Sequence, residues 1–485
     1  MTAYPFHRRQ HPGTHLTALA VVGAGAAEGV LAAYSPALAI APPALVLASW
    51  LWVRAPGVLL VCYLFLPFYK GSLGPFSPVD LTPLLALVNA AQFVMLLTFD
   101  RPRPASLVGL LLWGSLGLAV LAGILWADQQ AYALDRASYW WALILLPSAA
   151  AIRVASDDRF VGQFVATAFG LGSAIIVLGL GSLFDQSRLM IFGENTLQTG
   201  AITLVAILTT LLWGLRALPV WTRPALVALV GVALAESVAT GSRGPLIAFG
   251  VALAYALARR ALRRHRLTTR DMAVALVGTG GAAVLALTIA RLPAESIARL
   301  LLVPDAIAGG GSAGTSIGAR LDLFSIATAM FAHSPLIGNG TGSFGAYTMS
   351  LTGFTQFTYP HNDLLQVAAE YGLIGVVLFV ALVVAALRAP DGDDPARAAV
   401  GVLFVFMLTL GMTSGDIYGD RLMWGLLVLL LAAAEPAGGE PVRVPTGMAA
   451  DHRATSLSPD GPEGAGRDGQ PAAVGRGTCE RASTA

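Results

Sequence analysis

Charge is scarce in this sequence. Only 12% of its 485 residues are Asp, Glu, Lys or Arg, whereas a soluble globular protein carries about 25%. Hydrophobic residues make up 56% of the chain, and its mean hydropathy is +0.70. These values exclude an ordinary soluble domain and indicate a chain that lies in lipid for much of its length.

Cysteine, lysine and nucleotide-binding motifs are also scarce or absent. The two cysteines, Cys62 and Cys479, offer no disulfide framework. Lys70 is the only lysine among 30 basic residues. The sequence contains no Walker motif, so we expect no energy input from ATP. The formal net charge of +2 gives no indication of a nucleic-acid partner.

Long, continuous apolar runs are what the sequence has instead. About 20 apolar residues are needed to cross a bilayer as a helix, and the runs do not alternate as barrel strands do. We therefore expect an all-α, polytopic membrane protein with about 12–14 transmembrane helices and one large outside loop that contains short helices. The expected spans are 15–34, 36–53, 55–69, 81–99, 105–126, 138–154, 160–182, 197–217, 224–240, 244–258, 271–290, 366–387, 396–413 and 421–434.

The same pattern predicts how the chain is organised around these spans. The expected regions are a cytoplasmic N-terminus (1–14), eleven spans (15–290), a large outside loop (291–365), three further spans (366–434) and a disordered cytoplasmic tail (435–485). With both termini in the cytoplasm, roughly twice as many basic residues lie inside as outside, which satisfies the positive-inside rule.

The basic residues left on the non-cytoplasmic side need another explanation, and Arg243 is the best placed of them. It lies between two apolar runs in the stretch Thr240 to Pro245, with Gly241 and Gly244 close by. Glycine admits a ligand close to the backbone, and a following helix N-terminus favours an anion. We interpret Arg243 as a phosphate or diphosphate clamp rather than an arginine that snorkels to the headgroups.

Three other residues complete this interpretation. Glu236 lies seven residues before Arg243 on the same helical face, where it would act as a buried counter-ion. Arg188 lies in a polar outside loop, and a solvated loop charge is the alternative. Arg320 is a further substrate ligand or, alternatively, a structural ion-pair partner of Asp322.

His361 is the best candidate for a general base. It opens a polar stretch that runs directly into an apolar helix, and its ordinary pKa near 6.5 suits the removal of a proton from a sugar hydroxyl. Asp363, Gln366 and Glu370 follow at helical spacing, and one of them would orient the histidine or bind substrate. The alternative is a helix cap at Asn362 or Asp363 beside a histidine without a role.

No set of outside carboxylates has the spacing of a divalent-metal site. The run Asp391 to Asp394 looks like a metal loop, but it is more simply a solvated cytoplasmic turn. We therefore expect neither a metal nor another cofactor.

Three sequence elements together carry a resemblance to a known family. They are Ser242-Arg243-Gly244, the glycine-rich element from Ser334 to Phe344, and His361-Asn362 followed nine residues later by Gly372-Leu373-Ile374-Gly375. In these elements the sequence resembles the O-antigen ligase and O-antigen polymerase superfamily of bacterial cell-surface polysaccharide enzymes.

The resemblance implies a GT-C-like membrane glycosyltransferase in the bacterial cytoplasmic membrane. Such an enzyme moves a glycan from a polyprenyl diphosphate-linked donor to a hydroxyl of a glycan or lipid-linked acceptor on the non-cytoplasmic face. Arginines rather than a metal hold the diphosphate, and the resemblance gives this role to Arg188 and Arg243, with help from Arg320. His361 then acts as the base. Ligase and polymerase stay open as alternatives.

A secondary transporter for a small anion is the alternative from another class. It needs charged residues near the bilayer midplane and usually has inverted repeats. Only Glu28 and Glu236 are acidic residues clearly inside expected spans, and no repeat is evident. A purely structural scaffold is the third possibility, and it leaves the outside arginines without a reason.

Overall fold

The computed structural model describes residues 36–68, 81–98, 107–183, 189–190, 195–264, 312–352, 358–389 and 394–433. Every regular element within those ranges is helical, and all of them belong to one compact unit, Met1–Pro436. The helices are α1 Pro36–Arg54, α2 Pro56–Leu64, α3 Leu81–Thr98, α4 Leu107–Trp126, α5 Gln130–Ala155, α6 Asp158–Gly179, α7 Thr196–Ala217, α8 Val220–Ala239, α9 Arg243–Arg264, α10 Ser312–His333, α11 Ser343–Thr352, α12 Asp363–Leu387, α13 Pro395–Ser414 and α14 Arg421–Ala433.

Seven of these helices are long and apolar enough to cross a membrane: α4 to α8, α12 and α13. The end of α3 (Leu84–Thr98) and α14 are shorter apolar helices. The expected fold class, an all-α polytopic membrane protein, is confirmed. The total of 12–14 spans stays a prediction, because the expected spans at 15–34 and 271–290 lie outside the described residues.

The expected span at 55–69 is wrong. Helix α2 has only nine residues, and a short 3₁₀ turn follows at Leu66–Phe68. Nine residues rise about 14 Å, roughly half of the ~30 Å hydrocarbon layer. Pro67 has no backbone N–H for the next helical hydrogen bond, so the helix does not continue through it. Helix α2 instead packs against α6, where Gly57 lies against the backbone of Phe160.

Two further expectations need correction at their boundaries. The expected span at 138–154 begins at Gln130, and the expected span at 366–387 begins at Asp363. The segment expected to form the outside loop does not contain only short helices, because α10 has 22 residues. Its apolar and small residues, such as Ala327 and Met330, pack beside α12 instead of facing water.

Aromatic packing holds the spans together near the middle of the described region. The rings of Trp113 (α4), Trp140 (α5) and Trp424 (α14) have centroids 5.3 to 6.3 Å apart. Phe379 of α12 meets Trp424 edge-on at 5.8 Å. This cluster fixes α12 and α14 against the scaffold, and both helices carry residues of the site described below.

Arginines at both ends of the bundle bond to carboxylate and backbone carbonyl groups. At one end Arg397 pairs with Asp158 at 2.6 Å, and Arg259 Nη2 donates to Ala389 O at 3.0 Å. The opposite end holds Arg136 and Arg320, which bond to the end of α13 and to the loop after it. Which end faces the cytoplasm stays a prediction.

Candidate active site

Helix α12 is broken at Gly372, which has φ 61° and ψ −155°. A break of this kind leaves backbone groups on both sides without helical partners. The glycine segment, defined here as residues 335–342, supplies those partners through four backbone hydrogen bonds of 2.8 to 3.2 Å. They are Asn339 N to Ala369 O, Gly340 N to Glu370 O, Leu373 N to Pro335 O, and Ile374 N to Leu336 O. The two glycine-containing motifs of the sequence therefore form one structural joint.

Glycine is required on both sides of this joint. Gly338 has a φ of +71°, and a Cβ there would collide with the carbonyl of Glu370. A Cβ on Gly372 would collide with the carbonyl of Leu336. Other residues rarely adopt such a φ, and here they would also have no space.

Glu370 ties this joint to the α13–α14 loop, residues 415–420. Its Oε2 atom accepts hydrogen bonds from Gly342 N at 3.0 Å and from the Tyr418 hydroxyl. The Tyr418 hydroxyl also lies 2.9 Å from that of Tyr371. The Glu370 side chain is fully buried, so its role in the structure is to hold the loop, not to contact His361.

Gln366 holds the same loop one turn earlier on α12. Its Nε2 donates to Asp416 Oδ1, and its Oε1 accepts from Ile417 N, both at 3.2 Å. Arg136 of α5 lies 3.4 Å from the other Asp416 oxygen. The expectation that one residue of the polar stripe orients His361 is therefore not met by Gln366 or Glu370, because both are used for loop contacts.

Asp363 is the third member of the stripe, and it is fully buried. Its carboxyl and that of Asp420 both lie against Gly415, where an added Cβ would collide with one oxygen of each. Burial and the neighbouring carboxylates of Asp363 and Asp416 raise the pKa of Asp420 well above its ordinary value. Burial likewise raises the pKa of Asp416. These loop carboxyls therefore add less negative charge than their number suggests.

Asn362 is the N-cap of α12. Its Oδ1 accepts from Leu365 N at 2.9 Å, and its Nδ2 donates to Met412 O at 2.8 Å. The capping alternative is correct for this residue. The second hydrogen bond also fixes the start of α12 beside the end of α13.

His361 has a φ of 55° and is the one non-glycine residue with positive φ among those described. Its ring lies 4.3 Å from that of Tyr359, centroid to centroid. Burial and the charge of Arg320 lower the pKa of His361 to about 4, against a raising effect of a hydrogen bond to the Ser414 backbone. Its Nδ1 atom is buried and has no hydrogen-bond partner. At neutral pH the ring is therefore an uncharged imidazole with an unused nitrogen.

Both described arginines of the predicted clamp belong to segments that lie against the last turn of α13, whose Ser414 backbone bonds to His361. Arg320 Nη1 donates to Thr413 O at 3.1 Å. Gly244, next to Arg243, lies against the hydroxyls of Thr413 and Ser414. Burial and, to a smaller extent, the charge of Arg243 lower the pKa of Arg320, whereas Tyr359 raises it. The two guanidinium groups therefore repel each other, and a bound anion would relieve that repulsion.

Three sequence interpretations do not match this geometry. Both carboxylate oxygens of Glu236 are buried without a hydrogen-bond partner, so Glu236 is not the counter-ion of Arg243. Helix α8 ends at Ala239 and Gly241 turns the chain with φ 63°, which breaks the seven-residue helical register. The Arg320–Asp322 pair is also absent from the ion pairs of the described residues, and Asp322 is exposed.

Arg188 lies outside the described residues, so its role stays a prediction. The next residue, Leu189, is described, and its N–H donates to Ala239 O at 3.2 Å. Leu189 therefore lies beside Ala239 at the end of α8. Ala239 is only four residues before Arg243.

A cavity of about 200 Å³ adjoins His361 through Tyr359 and Ser414. We call it the central pocket. Its polar end is formed by Asp416, Asp420 and Arg421, and its apolar wall by residues of α2, α7 and α13, including Leu64, Leu197 and Met407. The sequence interpretation missed Tyr359 and the loop carboxyls. The signal for them was the run from Ser414 to Arg421, in which two aspartates flanked by glycines separate two apolar runs.

Residues 237–380 match the protein-family model described as O-Antigen ligase. This part of the chain is similar to the O-antigen ligase family. The matched region is less than a third of the chain, but it contains Arg243, Arg320, the glycine segment and His361. It indicates a membrane glycosyltransferase of the O-antigen ligase type. No curated protein and no solved structure gave a significant match.

Proposed function

We propose that the protein transfers a glycan from a polyprenyl diphosphate carrier to a hydroxyl of a glycan or lipid-linked acceptor on the non-cytoplasmic face of the cytoplasmic membrane. The observation that carries this proposal is that Arg320, Gly244 next to Arg243, and His361 all lie against the last turn of α13. It brings a neutral base and two cations to one end of the membrane-spanning bundle.

The two arginines suit a diphosphate. Guanidinium groups bind phosphate oxygens in a bidentate manner and stay charged. Arg243 is the first residue of α9, so the free N–H groups of that helix start also favour an anion. Together these groups stabilise the negative charge that develops on the leaving diphosphate. We expect Arg188 to join them.

His361 suits the removal of the acceptor proton. In the proposed step, the acceptor oxygen forms a bond to the anomeric carbon of the donor sugar while the bond from that carbon to the diphosphate oxygen breaks. The electron pair of the broken bond leaves with the diphosphate, and the acceptor proton passes to the imidazole. One displacement of this kind inverts the anomeric configuration.

The surroundings of the site suit a lipid-linked donor. The central pocket combines a polar end with an apolar wall, to which the spanning helices α7 and α13 contribute. A polyprenyl chain fits against such a wall while its diphosphate stays at the helix ends.

A small-anion transporter is less well supported. Its essential charges belong near the bilayer midplane, whereas His361 and Arg243 lie at the starts of α12 and α9. The position of these groups at helix ends favours an enzyme.

The test is the release of free polyprenyl diphosphate from a lipid-linked oligosaccharide in proteoliposomes. We expect His361→Gly to lower the rate by about 10² to 10⁴, the usual contribution of general acid–base catalysis. Glycine accepts the positive φ without strain, so this variant keeps the melting temperature of the wild type. Arg243→Ala should also abolish release, while Arg243→Lys keeps the charge but not the bidentate contact and should retain part of it.

Arg159→Ala is the matched control, because Arg159 is 83% exposed and bonds only to Asp157 in the structure. Release should also withstand EDTA, since arginines carry the charge of the leaving group. Full turnover by a folded His361→Gly protein would contradict the proposal. The length of the product then separates a ligase, which adds one glycan, from a polymerase.

A further inference from the structure

A second, larger cavity lies away from His361. It has a volume of about 790 Å³ and lies between the end of α4, helix α10 and helix α11. We call it the outer cleft. Its volume is within the range of about 300 to 1,000 Å³ that is usual for ligand sites. Its lining contains none of the arginines that form the proposed diphosphate site, and no arginine or lysine at all.

The lining combines aromatic rings with uncharged polar groups. Trp126 and Tyr347 are 37% and 46% exposed. The Ser343 hydroxyl lines the cleft, is buried and has no hydrogen-bond partner. Gln129 and Asp128 stand at its edge, both exposed. An aromatic face packs well on the C–H face of a sugar ring, and hydroxyl, amide and carboxylate groups pair with sugar hydroxyls.

The cleft and the proposed active site share structural elements. Gly338 and Thr341 of the glycine segment line the cleft, while Gly342 of the same segment donates to Glu370 of α12. Helix α10 carries Arg320 at the active site and His333 at the cleft. These two residues are thirteen positions apart, or about 20 Å along a helix. A chain of several sugar units spans such a distance.

We propose that the outer cleft binds a neutral oligosaccharide, the sugar part of a substrate at some distance from the reacting bond. The occupant is neutral rather than acidic, because the cleft offers a carboxylate, Asp128, and neither an arginine nor a lysine to balance an acidic sugar. The assignment to a substrate rests on the proposed function. The binding of the sugar does not.

Another explanation covers only one of these residues. Tryptophan is common where a spanning helix reaches the membrane surface, and Trp126 ends α4. Such an anchor explains neither the unpaired Ser343 hydroxyl nor the exposed polar groups that face the same cavity.

The experiment uses the full chain in detergent micelles on an array of neutral and acidic oligosaccharides. We expect the wild type to bind neutral members, and Trp126→Ala to weaken that binding at least tenfold. Ser343→Ala is a smaller change that leaves the fold intact and should weaken binding severalfold. Trp221→Ala is the matched control, because Trp221 is 80% exposed and does not line the cleft. It lies at the start of α8, whereas Arg243 follows the end of that helix.

Two further arms identify the source of the sugar. Oligosaccharides released by mild acid from the lipid-linked pool of the organism represent the donor, and fragments of its finished cell-surface polysaccharide represent the acceptor. The set that competes better for binding to the outer cleft identifies whether the donor or the acceptor occupies it. His361→Gly should bind as the wild type does, so a failed glycosyltransferase assay leaves this test valid. Absence of binding to neutral glycans, equal binding by Trp126→Ala, or a preference for acidic glycans would each overturn the proposal.

Discussion

His361 has a backbone conformation that few non-glycine residues adopt. Such strain costs about 1 to 3 kcal/mol and is concentrated at functional sites. The surrounding contacts hold it in place: Asn362 fixes the following helix start to Met412, and the Ser414 backbone meets the ring. The same packing keeps the imidazole uncharged, because burial and Arg320 both oppose the gain of a proton.

The lowered pKa of His361 sets the pH dependence of the reaction. A general base works only when unprotonated, so activity is lost as the pH falls through its pKa. We expect the acid limb of kcat/KM near pH 4 rather than near 6.5. In the enzyme–substrate complex, the bound diphosphate offsets the charge of Arg320, which raises the pKa of His361. The acid limb of kcat should therefore lie at a higher pH than the acid limb of kcat/KM.

Arg320→Gln removes one of the causes of this shift. The pKa of His361 should rise, and the acid limb of kcat/KM should move to higher pH. Profiles of wild type and variant with the same substrate measure the difference, since the ionisation of the substrate affects both equally. Arg159→Gln, at the opposite end of the bundle, should leave the limb where it is. An unchanged limb in Arg320→Gln would show that Arg320 does not act on His361.

At the scale of elements, the break in α12 and the glycine segment form a single unit. Four backbone hydrogen bonds join them, and Glu370 connects this unit to the α13–α14 loop. The loop in turn carries Asp416 and Asp420 beside the central pocket. The glycine motifs therefore act on the site by position and not by contact with the reacting groups.

Alanine at either glycine of this joint should destabilise the protein. For Gly338→Ala and Gly372→Ala, backbone strain alone costs about 1 to 3 kcal/mol, and the collision with a backbone carbonyl adds to it. Gly170→Ala is the control, because Gly170 is helical, exposed and has nothing within 4 Å of the added methyl. It should be neutral or stabilising by about 0.5 to 1 kcal/mol. Thermal unfolding in detergent compares the three, and equal melting temperatures would refute the role of the joint.

At the scale of the whole molecule, the described residues place arginines at both ends of the bundle. Arg397 and Arg259 lie at one end. His361, Arg320 and the segment of Arg243 and Gly244 lie around the last turn of α13 at the other. The proposed reaction requires the second end to lie outside the cytoplasm, where lipid-linked glycans are joined.

This orientation is tested by thiol labelling in whole cells. Cys62 and Cys479 are first replaced by serine, and a single cysteine is then placed at Ser350 or at Arg159, both of which are exposed. A membrane-impermeant maleimide should label the Ser350→Cys protein in intact cells, and the Arg159→Cys protein only after the membrane is opened. The reverse pattern would place the proposed site in the cytoplasm and contradict the proposed function.

The amino-acid sequence by itself determined the class of protein and most of its spans. Continuous apolar runs have no other stable state than helices in lipid, so runs such as 197–217 and 396–413 predicted α7 and α13 within one or two residues at each end. Local chemistry also sufficed for the cap at Asn362, whose side chain bonds within its own turn. His361 and Arg243 were singled out because they lie at the ends of apolar runs, and Arg320 because it is a basic residue of the expected outside loop; their roles stay predictions.

Only the tertiary structure decided how these residues are used. The partners of Gln366 and Glu370 lie about fifty positions away in the chain, and no local pattern reports such contacts. The register between Glu236 and Arg243 was lost at a turn that depends on Gly241. The short helix α2 is stable because α6 packs against it, which its own nine residues do not reveal. A helix in lipid forms from hydrogen bonds within its own segment. The assembly of a site instead depends on which helix ends come together, and those ends are distant in the sequence.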